Sequence, residues 1–251
     1  MNDPHVESLE YELATTPSFV IEGAPALDHE TADFNLHLEG ARLTISIKGH
    51  CATEAQAQEL VAPFLRSWEV DQALQRGRQV MWFKFKRTNI VDRNPTPPGG
   101  IVSAQILMAG ELNIAMSMTG VLVSRLYPTP PRNFAVSADV EMLWGRYVQY
   151  TEGREPLAGM AYACFTFITK VMTNGREDAS KRLNIAGHIF KEVGRLAGGK
   201  GDRKYPTDGP YTPQETAWLE AAVRLLIRRV GQVAARVPPS QQITMADLPK
   251  L

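Results

Sequence analysis

The sequence predicts an α+β protein, with an antiparallel β-rich first half carrying one helix and an all-helical second half. Three observations predict it. Apolar residues alternate with period 2 through much of the first 127 positions, whereas a period of 3.6 takes over after residue 136. Between the two lies Tyr127-Pro128-Thr129-Pro130-Pro131, where the prolines favour a stiff, extended spacer. The expected organisation is a β-rich domain over 1–127, a Pro-rich linker over 128–136, a helical bundle over 137–237 and an extended tail over 238–251.

Phe34, Leu36 and Leu38 alternate with polar residues, and Leu43, Ile45 and Ile47 resume the pattern after Glu39-Gly40-Ala41-Arg42, which predicts a hairpin with one wet face. Thr53 and Gln56 have capping-box spacing, and Leu60, Val61, Phe64, Leu65 and Trp68 follow on one helical face. Pro63 predicts a kink or restart near residue 62. Met81, Phe83 and Phe85 predict another strand, residues 94–100 a loop, and Leu112 to Met118 and Val121 to Tyr127 further strands.

In the second half, Ser137 caps a helix with Asp139 and Glu141 in its first turn, and Val140, Leu143, Trp144, Tyr147, Val148 and Thr151 form its inner stripe. Gly153 ends it and Pro156 opens the next. That helix, from Leu157 to Val171, is apolar nearly all round and is expected at the centre of the bundle. Asn174-Gly175 stops it. Short helices follow near 177–183 and 187–196, then a Gly-rich basic loop over 198–210. Thr212-Pro213-Gln214-Glu215 starts the last helix, with Trp218, Ala221, Ala222, Leu225, Leu226, Arg229 and Val233 facing inward.

Composition narrows the function classes. The chain carries 27 Lys+Arg against 27 Asp+Glu, which excludes a histone-like polyelectrolyte. The balance is a cancellation: residues 1–133 hold 11 bases and 15 acids, residues 134–251 hold 16 and 12, and residues 170–236 hold 13 and 7. Cys51 and Cys164 are too few for a disulfide framework and have no ligand spacing around them. The acidic N-terminus lacks a signal pattern, and the apolar run over 157–172 is too short to span a bilayer. A cytoplasmic protein with no membrane association is expected.

Most chemical motifs fail. Gly194 to Lys200 has phosphate-loop spacing, but Gly201 stands where Ser or Thr must hold magnesium, and a helix precedes it where a strand should. No nucleophile elbow, metalloprotease helix or calcium loop is present. Asp28, His29, Glu30, Asp33 and His37 read as a polar loop and wet strand face, so no metal and no cofactor is expected. His50 beside Cys51 reads as two neighbours on opposite faces of a strand rather than a thiol–imidazole pair.

Three features of the second half carry chemistry. Lys200, Arg203 and Lys204, with Tyr205 and Tyr211 nearby, form a loop able to grip phosphate and stack on a base. Residues 179–193 have helix-turn-helix spacing: Leu183, Ile185, Phe190 and Val193 pack two short helices, and His188, Lys191 and Arg195 face a groove. Third, Arg182 and His188 form an Arg-x5-His string.

This string and the helical layout over roughly 137–236 resemble the HEPN superfamily, small helical domains common in prokaryotic defence and toxin systems. The residues carrying the resemblance are Leu143-Trp144 to Tyr150, Met160 to Ile168 and Trp218 to Val230; the first half has no such likeness. Leu183 departs from it, standing where the family usually places a polar residue after the arginine. In catalytic members an arginine–histidine pair, joined across a dimer, cleaves RNA without metal. The resemblance therefore implies that His188 would move the proton and Arg182 would stabilise the phosphorane charge. Noncatalytic members serve as binding or dimerisation modules. The expectation is a noncatalytic binding protein, a nucleic-acid-associated accessory of a defence-type system. Its partners would be RNA or DNA at the basic half, and a protein or second copy of the chain. A HEPN-type endoribonuclease and a helix-turn-helix regulator are the alternatives.

Overall fold

The computed structural model describes residues 2–94, 122–199, 209–237 and 241–251. It divides into two compact units, one of Met1–Gln72 with Gln79–Pro130, the other of Ala73–Arg78 with Pro131–Leu251.

The first unit is built on an antiparallel five-stranded sheet. Its strands are β1 (Pro4–Thr15), β3 (Leu27–Glu30), β4 (Phe34–Glu39), β5 (Arg42–Ile47) and β6 (Met81–Asp92), in the order β3-β4-β5-β1-β6. A short parallel pair, β2 (Phe19–Ile21) and β7 (Leu122–Ser124), accompanies it. The expected hairpin is β4–β5, with Leu36 opposite Ile45 and Leu38 opposite Leu43. Alternation sends Phe34, Leu36, Leu38, Leu43, Ile45 and Ile47 into the core and leaves Asn35, His37, Glu39, Arg42 and Ser46 exposed. Helix α1 (Glu54–Arg76) closes the core with Ala57, Val61, Leu65 and Trp68.

Two details of this unit depart from expectation. Strand β1, which lies between β5 and β6 and was not expected, alternates cleanly at Leu9, Tyr11 and Leu13, but a bulge at Glu7 (Val6 faces Ile90 and Ser8 faces Asn89) puts the core residues Val6 and Leu9 three positions apart. Helix α1 runs unbroken through Pro63. Proline removes one backbone donor, but Pro63 and Glu59 are both exposed residues, where losing that bond costs least. The Ser67 hydroxyl donates to the Pro63 carbonyl at 2.7 Å. Leu60, expected inside, is exposed. The Thr53–Gln56 capping box forms as expected. The strand expected between Leu112 and Met118 lies outside the described residues. Trp68 donates its indole N–H to the Pro128 carbonyl at 3.1 Å, and the Tyr127 hydroxyl donates to Gly40 O at 2.8 Å.

The second unit contains α2 (Ala138–Thr151), α3 (Leu157–Thr166), a π-helical turn (Phe167–Met172), α4 (Arg176–Leu183), α5 (Gly187–Gly199) and α6 (Pro213–Ala234). Helix α3 packs against α2, α5 and α6, the central position its apolar surface demands. Its continuation widens into the π turn, where Val171 is exposed rather than inward. Ser137 caps α2, accepting from Val140 N at 3.3 Å. Thr212 and Glu215 form a reciprocal capping box on α6, with Pro213 in its first turn. On α6 the fully packed positions are Trp218, Leu219, Ala222, Val223, Leu226, Ile227 and Val230, while Ala221, Leu225 and Val233 are half-buried. Among the described residues no helix is long and apolar enough to cross a membrane.

Candidate nucleic-acid interface

The corner between α4 and α5 gathers most of the residues nominated by the sequence. Helix α4 places Glu177 and Asp178 in its first turn and Lys181 and Arg182 in its last, matching the helix dipole at both ends. It stops at Asn184, whose left-handed φ of 50° suits a residue with a short polar side chain. Ile185 N then donates to Ser180 O at 3.0 Å, and the Ser180 hydroxyl donates to Ile185 O at 2.5 Å, which fixes the turn. Leu183 and Ile185 plug into the core on either side of it.

Helix α5 is sharply two-sided. Ile189, Phe190, Val193, Leu196 and Ala197 are fully buried. At about 1.5–3 kcal/mol for each large apolar side chain, this burial holds the helix against the bundle. The opposite side presents His188, Lys191 and Arg195 at i, i+3 and i+7, all exposed. Arg195 is paired with Glu192 at 2.5 Å and Glu215 at 3.7 Å. Lys191 and His188 make no hydrogen bond or ion pair among the described residues. Gly194 admits close packing on the inner side: a Cβ there would lie 3.1 Å from Phe165 and 3.0 Å from the Arg176 guanidinium, which itself sits over the Phe165 ring.

Arg182 and His188 flank the same turn and are both exposed, but no hydrogen bond joins them. Arg182 donates to the Met172 carbonyl at the end of the π turn at 2.8 Å. The geometry thus gives Arg182 a structural task. Lys200, Arg203, Lys204 and Tyr205 lie outside the described residues. Tyr211 is described, and its hydroxyl donates to the Leu196 carbonyl at 2.9 Å.

One feature of the corner carried no signal in the sequence. The C-terminal arm pairs with the turn: Ala186 N donates to Ile243 O at 2.8 Å, and Ile243 N donates to Asn184 O at 3.0 Å. Arg229, on α6, donates to the Gln241 carbonyl at 2.6 Å. Leu248 is buried, and Thr244 and Asp247 cap a short turn before it.

The remaining chemical residues are occupied structurally. His37 bonds Asp28, its cross-strand neighbour, at 2.7 Å, and that bond holds its imidazole pKa above the ordinary value. Lys48 bonds Glu30 at 2.6 Å, and the His29 ring stacks on Phe64. His50 stacks not on Cys51 but on His5, a residue sequence reasoning passed over. His5 is buried, accepts from the Arg93 guanidinium at 2.7 Å and lies 3.4 Å from Cys51 N. Burial, then Arg93 and His50, hold its pKa below the usual histidine value. Burial pushes the Cys164 thiol up to about 12, far from a reactive thiolate. Among the described residues no group of three or more His, Cys, Asp or Glu could hold a metal ion. No protein-family model, curated protein or solved structure gives a match to this chain.

Proposed function

We propose that the protein is a noncatalytic binding protein that contacts nucleic acid through the outward face of α5. The single observation that carries this reading is the two-sidedness of that helix, with His188, Lys191 and Arg195 exposed one turn apart on a rigid, fully packed support. Phosphate contacts need accessible cations on a fixed scaffold, and Lys191 is such a cation. The Arg182–Met172 bond supports the noncatalytic form of the reading, because it engages the guanidinium with the backbone of the bundle. Filter binding of a labelled single-stranded RNA and a duplex DNA, at 50 and 200 mM salt, tests it. Saturable binding that weakens steeply with salt and is lost in Lys191→Glu is expected. Flat signals for both probes at low salt would overturn it.

A HEPN-type endoribonuclease is the second reading, favoured by the exposure of both Arg182 and His188 beside one turn. It requires RNA cleavage in EDTA that His188→Ala abolishes. A helix-turn-helix regulator is favoured by the α4–turn–α5 corner and requires preference for the duplex probe.

A further inference from the structure

The C-terminal arm is attached to the bundle as a bound peptide would be. The turn at Asn184 leaves one carbonyl and one amide, Asn184 O and Ala186 N, outside the ladders of α4 and α5, and the arm takes both through Ile243 in parallel register. Arg229 supplies a third contact of an unusual kind. It is buried, its Nη1 donates to Gln232 Oε1 at 2.9 Å, its Nη2 donates to the Gln241 carbonyl, and its Nε has no acceptor. Among the described residues no carboxylate lies within ion-pair distance of it, so a buried guanidinium is spent on reading the arm's backbone. Leu248 adds one buried apolar anchor five residues beyond Ile243. A backbone edge, a carbonyl reader and a buried apolar anchor are the parts of a strand-addition peptide site.

We propose that this edge is a peptide-docking site whose ligand is the extended segment 241–251, the chain's own in the structure and a second copy's when supplied in trans. The site is separate from the outward face of α5 and does not depend on nucleic-acid binding. A covalently attached ligand competes at high effective concentration, so the edge is masked from outside peptide until the arm lets go.

The test titrates a fluorescein-labelled peptide of residues 241–251 into full-length protein and into a full-length Ile243→Pro, Leu248→Asp variant, whose own arm cannot dock. The peptide is expected to bind the variant at least tenfold more tightly than the wild type, and Arg229→Met in the variant is expected to weaken it at least fivefold. Equal affinity for variant and wild type, no saturable binding to the variant, or indifference to Arg229→Met would each overturn the proposal. Should the variant lose its helical circular dichroism, amide exchange in the wild type decides. Ala186 and Ile243 amides exchanging at least a hundredfold faster than Phe190 and Val193 show an arm that leaves an intact bundle. Exchange at the same rate as those core amides overturns it.

Discussion

Gly231 sits near the C-terminal end of α6, where helix propensity alone favours alanine by about 1 kcal/mol. The structure reverses that sign. A Cβ on Gly231 would lie 2.5 Å from Cδ2 and 2.8 Å from Cζ of the Phe134 ring, and nearer still to Cε2. Carbon atoms in good contact sit about 3.5–4.0 Å apart, so the ring must move by roughly 1 Å or more. It has little freedom to do so: Phe134 is buried, and the next residue is pinned by Ala135 N donating to the Gly231 carbonyl at 3.0 Å. Overpacking of this kind costs about 1–3 kcal/mol, and complete expulsion of a buried phenylalanine costs about 3–5 kcal/mol. Setting the propensity gain against these bounds, Gly231→Ala should destabilise by about 2 kcal/mol. In urea, with a slope near 2 kcal/mol/M, the midpoint read by circular dichroism at 222 nm should fall by about 1 M. A double-mutant cycle isolates the cause. In a Phe134→Ala background the same glycine substitution should become neutral or stabilising by up to about 1 kcal/mol. A Gly231→Ala protein as stable as the wild type, or one whose destabilisation persists without the ring, would refute the reasoning.

Other outcomes follow from the same structure. His5 has a folded-state pKa below 6.5, so the folded protein binds fewer protons than the unfolded chain below that value. Its neutral state is therefore without penalty above about pH 6.5, and stability is lost as pH falls from there through the depressed folded value; His5→Phe should flatten that part of the urea midpoint against pH. Lys191→Ala should weaken RNA or DNA binding about equally across sequences and reduce the slope of log affinity against log salt by about 0.7–0.9, measured by filter binding. Thr212→Ala removes the hydroxyl that accepts from Glu215 N, leaves the backbone N–H of residue 212 to the Glu215 carboxylate, and should cost about 1 kcal/mol in thermal or urea unfolding.

The legible parts of the fold are those where one physical rule acts alone. The β4–β5 hairpin showed because its alternation is uninterrupted, and α2 and α6 showed because cap, first-turn charge and stripe agree at Ser137 and at Thr212. Strand β1 was passed over although Leu9, Tyr11 and Leu13 alternate with Glu10 and Glu12: its acidic polar face reads as a charged terminus, and the bulge at Glu7 puts Val6 out of phase with the rest. At Pro63 the helix does not restart, because Val61 before it and Leu65 and Trp68 after it are held in one core. In the candidate site, spacing placed His188, Lys191 and Arg195 on one face of α5, because helical periodicity is enough to do so. The arm's attachment to Asn184 and Ala186 had no such signal, since it uses backbone groups that every residue possesses.

The charge count sharpens in the same way once pairing is known. The first unit pairs several of its bases with acids: Arg87 with Glu10 at 2.6 Å, Lys86 with Glu12, and Lys48 with Glu30. Register dictates the first of these, for Glu10 stands opposite Arg87 across the β1–β6 ladder. Such exposed pairs add little to stability, yet each occupies a cation. On α5 the helical period separates the roles instead. Glu192 neutralises Arg195 three residues on, while Lys191 lies a turn before Arg195 on the same outward face and has no acid of its own among the described residues. The excess of bases over 170–236 thus matters less as a sum than as one unpaired cation on a packed helix, and binding that survives Lys191→Glu would place the ligand elsewhere.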